Sequence, residues 1–190
     1  MAPKENLLKK SVLKDQAYRL LEERGVTIED IADIVYELQK NYVDNLTIEE
    51  CIENVHAVLK KREVQNAVIT GIEIDIVAEN GHFSDVLSDL LMRDEGLYGI
   101  DEVLVLSIVN VYGSIGLTNF GYVDKVKPGI IGELNDSKDE HCNTFIDDIV
   151  GALAAAAASR LAHSQPAKDD VHAHPSPEVS YERSKHSFLN

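Results

Sequence analysis

Apolar positions recur every three to four residues through most of the first 92 positions. Leu7, Leu8, Val12, Leu13, Ala17, Leu20 and Leu21 share one helical face. This spacing predicts a first helix over residues 5–24, with Gly25 in the position just past its end. Thr27 with Asp30 and Thr47 with Glu50 have the form of capping boxes. They open predicted helices near residues 28–39 and 48–61. A fourth helix is predicted over residues 63–80, stopped by Gly81. Ser84 caps a short helix that runs to about Met92.

The pattern changes after Asp101-Glu102. From Val103 to Val123 the chain carries no charge. The segment VLVLSIVNV is rich in β-branched residues and fits a helix or a buried strand. Helix is favoured, because every neighbour is helical and no partner strand is evident. The run is long enough to cross a bilayer. Ser107, Asn110, Ser114, Thr118, Asn119 and three glycines lower its apolarity. The expectation is therefore a buried core helix followed by a glycine-containing loop. Thr144 with Asp147 looks like a further cap, opening an alanine-rich helix to about His163. The fold class expected is all-α: one compact helical bundle over residues 1–163 with a central buried helix. Pro, Ser, His and charge dominate residues 164–190, which read as a flexible tail.

Composition narrows the function classes. At 190 residues and 44% hydrophobic content, one sizeable core can be buried. The formal net charge of −15 excludes phosphate-driven binding to bare nucleic acid. It also opposes anionic lipid surfaces, except where a metal or a local basic patch intervenes. The two cysteines, Cys51 and Cys142, have no metal-finger spacing and suggest no disulfide framework. No apolar signal core is visible near the N-terminus, so cytoplasmic placement is expected.

The candidate chemistry lies in carboxylates around the uncharged run. Asp94 precedes Asp101-Glu102, Asp124 and Lys127-Pro128 follow the run, and Asp147-Asp148 begin the alanine-rich helix. Carboxylates entering apolar segments are costly unless neutralised, and a hard divalent cation neutralises them with oxygen ligands. Gly96 and Gly99 allow the loop between Asp94 and Asp101 to fold back. Helix capping explains Asp101, Glu102 and Asp147 almost as well. Adjacent residues on a helix diverge by about 100°, so only one of Asp147 and Asp148 is expected to face a cleft squarely. Glu79, Asp85 and Asp89 are read as a solvated face. Glu49, Glu50 and Glu53 resemble the acidic motif of helical nucleotide pyrophosphohydrolases, but that family's second motif has no counterpart here. GSIGLTNFG lacks the Lys-Ser/Thr ending of a Walker loop.

Three strings in order carry a more specific likeness. DEGLYGIDE (94–102), YVDKVKP (122–128) and FIDDIVGA (145–152) resemble the phosphatidylglycerophosphatase A family, in its soluble branch. The match covers roughly residues 93–161. The resemblance implies a compact helical bundle around a central helix. It also implies magnesium-dependent removal of the terminal phosphate from phosphatidylglycerophosphate, giving phosphatidylglycerol. On that basis Asp94, Asp101, Glu102, Asp147 and Asp148 are the expected Mg²⁺ ligands. Asp124, Lys127 and Asp101 are the expected catalytic residues. The expected partner is a phosphorylated lipid headgroup, with peripheral contact at the inner face of the cell membrane and a homo-oligomer both left open. Membrane-embedded members carry a glycine- and proline-rich N-terminal segment and a His after the first Asp. Here Glu95 follows Asp94, and the N-terminal half is a soluble helical region. Two other readings stand beside this one: a non-catalytic helical metal-binding module serving cold adaptation, and a soluble phosphatase or pyrophosphohydrolase acting on nucleotides or sugar phosphates.

Overall fold

Two capping boxes form as the spacing predicts. The Thr27 hydroxyl accepts the Asp30 N–H while the Asp30 carboxylate accepts the Thr27 N–H, and Thr47 and Glu50 repeat the exchange. They start α2 (Ile28–Gln39) and α3 (Ile48–Leu59). Glu50 is thereby a cap, and Glu49 and Glu53 are exposed. The computed structural model describes residues 10–137 and 141–164, so the tail reading falls outside the described residues beyond Ser164.

The remaining elements are α1 (Lys10–Glu23), α4 (Arg62–Glu79), α5 (Asp85–Met92), α6 (Ile100–Val109), α7 (Gly113–Val126), α8 (Ile130–Asp136) and α9 (Ile146–Ser164). A 3-10 turn at Asn110–Tyr112 joins α6 to α7. Among the described residues there is no strand. The helix α8 lay outside the expectations, since seven residues are too few to display a helical period.

The central helix is α9. Every residue from Ile146 to Ser159 is buried. It packs on α2, α3, α4, α6, α7 and α8. Five consecutive alanines, Ala154–Ala158, are fully buried. Their small side chains let helices close in from all sides while helix propensity stays high.

The uncharged run is therefore not the buried core helix that its composition suggested. It forms α6, the 3-10 turn and α7 as an outer layer. By length and composition Ile100–Val126 passes for a membrane span, with 27 residues and an 18-residue stretch of mean hydropathy 1.6. A straight helix of that length would hold its ends about 40 Å apart. Instead Asp101 and Lys127 feel each other's charge, so the segment is a folded hairpin. Ser159 Oγ donates to Tyr112 O at 2.9 Å and pins the turn to the far part of α9. Absence of charge marks apolar character, which is not the same as burial.

Candidate functional site

The first turn of α9 is the site's floor, and its placement depends on a carboxylate from another helix. Asp75 on α4 is fully buried. Its Oδ1 and Oδ2 both accept the Phe145 N–H at 3.1 Å, and Oδ2 also accepts the Ile146 N–H at 3.0 Å. The Cys142 thiol points at Oδ1 at 3.5 Å. Burial pushes the Asp75 carboxyl up to about 8, against the pull of the two N–H groups and of Arg24. The cap expected from Thr144 and Asp147 does not form. The Thr144 hydroxyl donates to Leu91 O at 2.6 Å, and the Asp75 carboxylate takes over the exposed amides. Gly71, one turn earlier on α4, permits this approach. A Cβ there would lie 2.5 Å from Ile149 Cδ1 and 3.2 Å from Phe145 Cβ.

Glu79, one turn after Asp75, supports the same loop. It pairs with Arg24 at 2.6 Å and accepts the Cys142 N–H at 2.8 Å. Arg24 in turn donates to Asn143 Oδ1 at 2.7 Å. The reading of Glu79 as solvated is corrected, since its side chain is only 21% exposed. Asp85 and Asp89 are exposed as expected. Sequence reasoning passed over Asp75, although it shares the buried face of Val68 and Ile72 at helical spacing.

With α9 so anchored, Asp147 and Asp148 are both buried, at 3% and 5% exposure. The expectation that only one would face inward fails, because α9 has no solvent side to which the other could turn. Both meet Lys127. Its Nζ lies 2.9 Å from Asp147 Oδ2, 2.9 Å from Asp124 Oδ1 and 3.7 Å from Asp148 Oδ1. Asp147 Oδ1 accepts the Asp148 N–H at 2.8 Å. Burial pulls the Lys127 ammonium down, but the surrounding aspartates outweigh it and hold it above the ordinary lysine value.

Asp101 enters from the first turn of α6 and is buried. Its Oδ1 has no hydrogen-bond partner among the described residues. Burial and the Asp94 charge raise its pKa. Burial, helped by Asp94, raises Asp147 as well, despite Lys127. Asp148 is pushed up to about 8 by burial and then by Asp147, with Asp124 and Asp101 adding to it. Five aspartates, at positions 94, 101, 124, 147 and 148, thus share one field. The Glu102 side chain is exposed on α6, and it is the Glu102 backbone N–H that reaches the Asp101 carboxylate.

Backbone strain marks two members of the group. Asp94 follows α5 at φ 49°, where Glu95 N–H reaches Leu90 O and Asp94 N–H reaches Leu91 O. The same pattern ends α1 and α4, with Gly25 and Gly81 in the left-handed position. Lys127 closes α7 at φ 49°, ψ 56°, directly before Pro128, which disfavours the helical alternative. Holding non-glycine residues there costs on the order of 1 kcal/mol each.

As they stand, no three His, Cys, Asp or Glu side chains among the described residues are arranged to hold a metal ion. The donor chemistry nevertheless suits a hard divalent cation. All donors are carboxylate oxygens, one buried oxygen is orphaned, and one lysine faces several aspartates.

An all-helical domain that gathers aspartates and one lysine at the end of a buried helix is the class that fold and site define. The chain belongs to the phosphatidylglycerophosphatase A family, whose model matches residues 21–163. It is 58% identical over 153 residues to the uncharacterized protein YutG of Bacillus subtilis, covering 80% of this chain and 92% of that one. The low temperature requirement C protein of Listeria monocytogenes superposes with TM-score 0.80 at 58% identity, over 82% of this chain and 98% of that one. A protein of unknown function from Bacillus stearothermophilus gives TM-score 0.79 at 62% identity, over 81% and 96%.

Proposed function

We propose that this protein is a magnesium-dependent phosphomonoesterase that releases the terminal phosphate of phosphatidylglycerophosphate, leaving phosphatidylglycerol. The observation that carries this reading is the meeting of Asp124, Asp147 and Asp148 on Lys127, beside the orphaned Asp101 oxygen. These residues fall in the three strings that resemble the family.

Asp101, Asp147 and Asp148, together with Asp94, would hold Mg²⁺. When bound, the ion supplies Lewis-acid polarisation of the phosphate and charge neutralisation in a strongly acidic protein. Glu102 is the weakest of the expected ligands, because its side chain is exposed. Lys127 is 27% exposed, so its ammonium can exchange an aspartate for a phosphoryl oxygen and stabilise the charge that develops there. Asp124 is the most accessible of the aspartates on Lys127, at 37%. It would accept a proton from an attacking water as general base. The burial of Asp147 and Asp148 keeps the centre dry enough for these charges to act strongly.

The test is inorganic phosphate release from phosphatidylglycerophosphate in mixed micelles. Turnover with Mg²⁺, lost in EDTA and restored by readdition, is expected. Equal rates under both conditions overturn the proposal. Turnover of nucleotide or sugar phosphates without a lipid preference would favour a soluble phosphatase. The non-catalytic module draws on one observation, that Lys127 itself offsets the charge of three aspartates. It requires stabilisation by Mg²⁺ with no turnover of any phosphate ester.

A further inference from the structure

We propose that the outer face of the α6–α7 hairpin is the surface on which a second copy of this chain docks. Exposed large apolar side chains are concentrated there. Among the described residues twelve are exposed, and nine of them lie between Leu97 and Val126. The most open are Leu97 at 93%, Val103 at 62% and Tyr122 at 58%. Side chains of this size together present on the order of 800 Å², the area per partner of a standard interface. Apolar exposure this concentrated is unusual on a monomer.

The pattern on the helices suits a helical partner. Ile100, Val103 and Leu106 step along α6 at a spacing of three, forming one stripe. On α7 the exposed Ile115, Thr118 and Tyr122 form a second stripe. The exposed Ser114 and Gly121 flank it and leave room for a neighbouring backbone.

Charge decides the occupant. Each copy carries −15, so two copies repel wherever charged surfaces meet. Residues 103–123 carry no charge, and across them two copies can approach with the fewest like charges juxtaposed. A lipid surface fits less well. The chain has no Trp, and Lys125 is the single cation exposed on α6 or α7. Glu95 and Glu102 are exposed at the site end of the hairpin, where an anionic leaflet would be repelled.

Gly121 gives a clean test. A Cβ there would meet nothing within 4 Å, and its φ is not positive. The monomer should therefore accept Gly121→Glu, which also removes a helix-interior glycine. In sedimentation velocity the wild type is expected to dimerise, more tightly at higher salt as the net charge is screened. Gly121→Glu is expected to weaken the dimer at least ~30-fold through like-charge contact, with circular dichroism and Tm unchanged or improved. Tyr42→Glu, at an exposed apolar residue between α2 and α3, should leave the dimer intact. A wild type that stays monomeric at about 100 µM, where interfaces of this area are normally occupied, overturns the proposal. So does equal dissociation by both variants. Vesicle binding by a monomer, abolished by Gly121→Glu, would assign the face to lipid instead.

Discussion

Two carboxylate clusters flank the start of α9, and they are satisfied to opposite degrees. Around Asp75 and Glu79 the acceptors have donors. Two backbone amides and a thiol point at Asp75, and Arg24 with the Cys142 amide serves Glu79. Around Lys127 one ammonium faces three aspartates, and Asp101 beside them has an oxygen with no partner. Native folds rarely leave buried acceptors orphaned without a use for them. The saturated cluster sets the position of α9, and the under-compensated one keeps capacity for a ligand.

The sharpest way to break this contrast is at Asp101. Asp101→Asn removes a buried charge that Lys127 and nearby amides offset only in part, so Tm should hold or rise. Phosphate release from phosphatidylglycerophosphate should fall ~10³-fold, equivalent to about 4 kcal/mol of transition-state stabilisation. Full activity in this variant would place Asp101 outside the chemistry. The converse change is Asp75→Ala, which leaves the Phe145 and Ile146 amides buried without an acceptor. A loss of about 3 kcal/mol in urea unfolding is expected. Its specific activity should persist in the fraction that remains folded. A stability within 0.5 kcal/mol of the wild type, the ~0.5 kcal/mol of an ordinary surface change, would deny Asp75 its anchoring role.

Both clusters contribute to the pH dependence of stability, and only the one around Lys127 should respond to a cation. The Asp148 carboxyl is pushed to about 8 when folded, well above an unfolded aspartate near 4. Between those values the native state binds more protons than the unfolded state. Stability in EDTA should therefore fall as pH rises from about 5 to 8, by at most about 1.4 kcal/mol per pH unit from this group. Asp148→Asn should flatten the slope. The residual slope belongs to Asp75, Asp101 and Asp147, raised in the same direction. A cation bound by Asp148 reverses its preference, so Mg²⁺ should stabilise the protein more at pH 8 than at pH 5. A Tm shift by Mg²⁺ that is independent of pH would contradict this.

Much of the helical layout was legible because its signals are local. Thr27, Thr47 and Ser84 mark helix starts, and Gly25 and Gly81 mark stops, through hydrogen bonds within four residues of themselves. The site was legible in part. Asp101, Asp124, Lys127, Asp147 and Asp148 stood out because charge beside apolar sequence is expensive. What failed was non-local. The cap of α9 comes from Asp75, some 70 positions upstream, so Thr144 offered a plausible local substitute. The central helix was misassigned for a related reason. Alanine is weakly apolar, and its value in a core lies in how closely neighbours approach, which no single segment reveals.

The place of α9 in the chain order has a consequence for biosynthesis. The ribosome makes it after every other described helix, yet α2, α3, α4, α6, α7 and α8 all bury surface against it. Until Ile146–Ser164 emerges, the nascent helices lack the rod they assemble around. Their apolar faces stay open to the solvent and to each other. Domains fold as units during synthesis only once their core is complete. Here completion waits for nearly the whole described chain, which makes the nascent protein a client for whatever shields apolar surface at the tunnel exit.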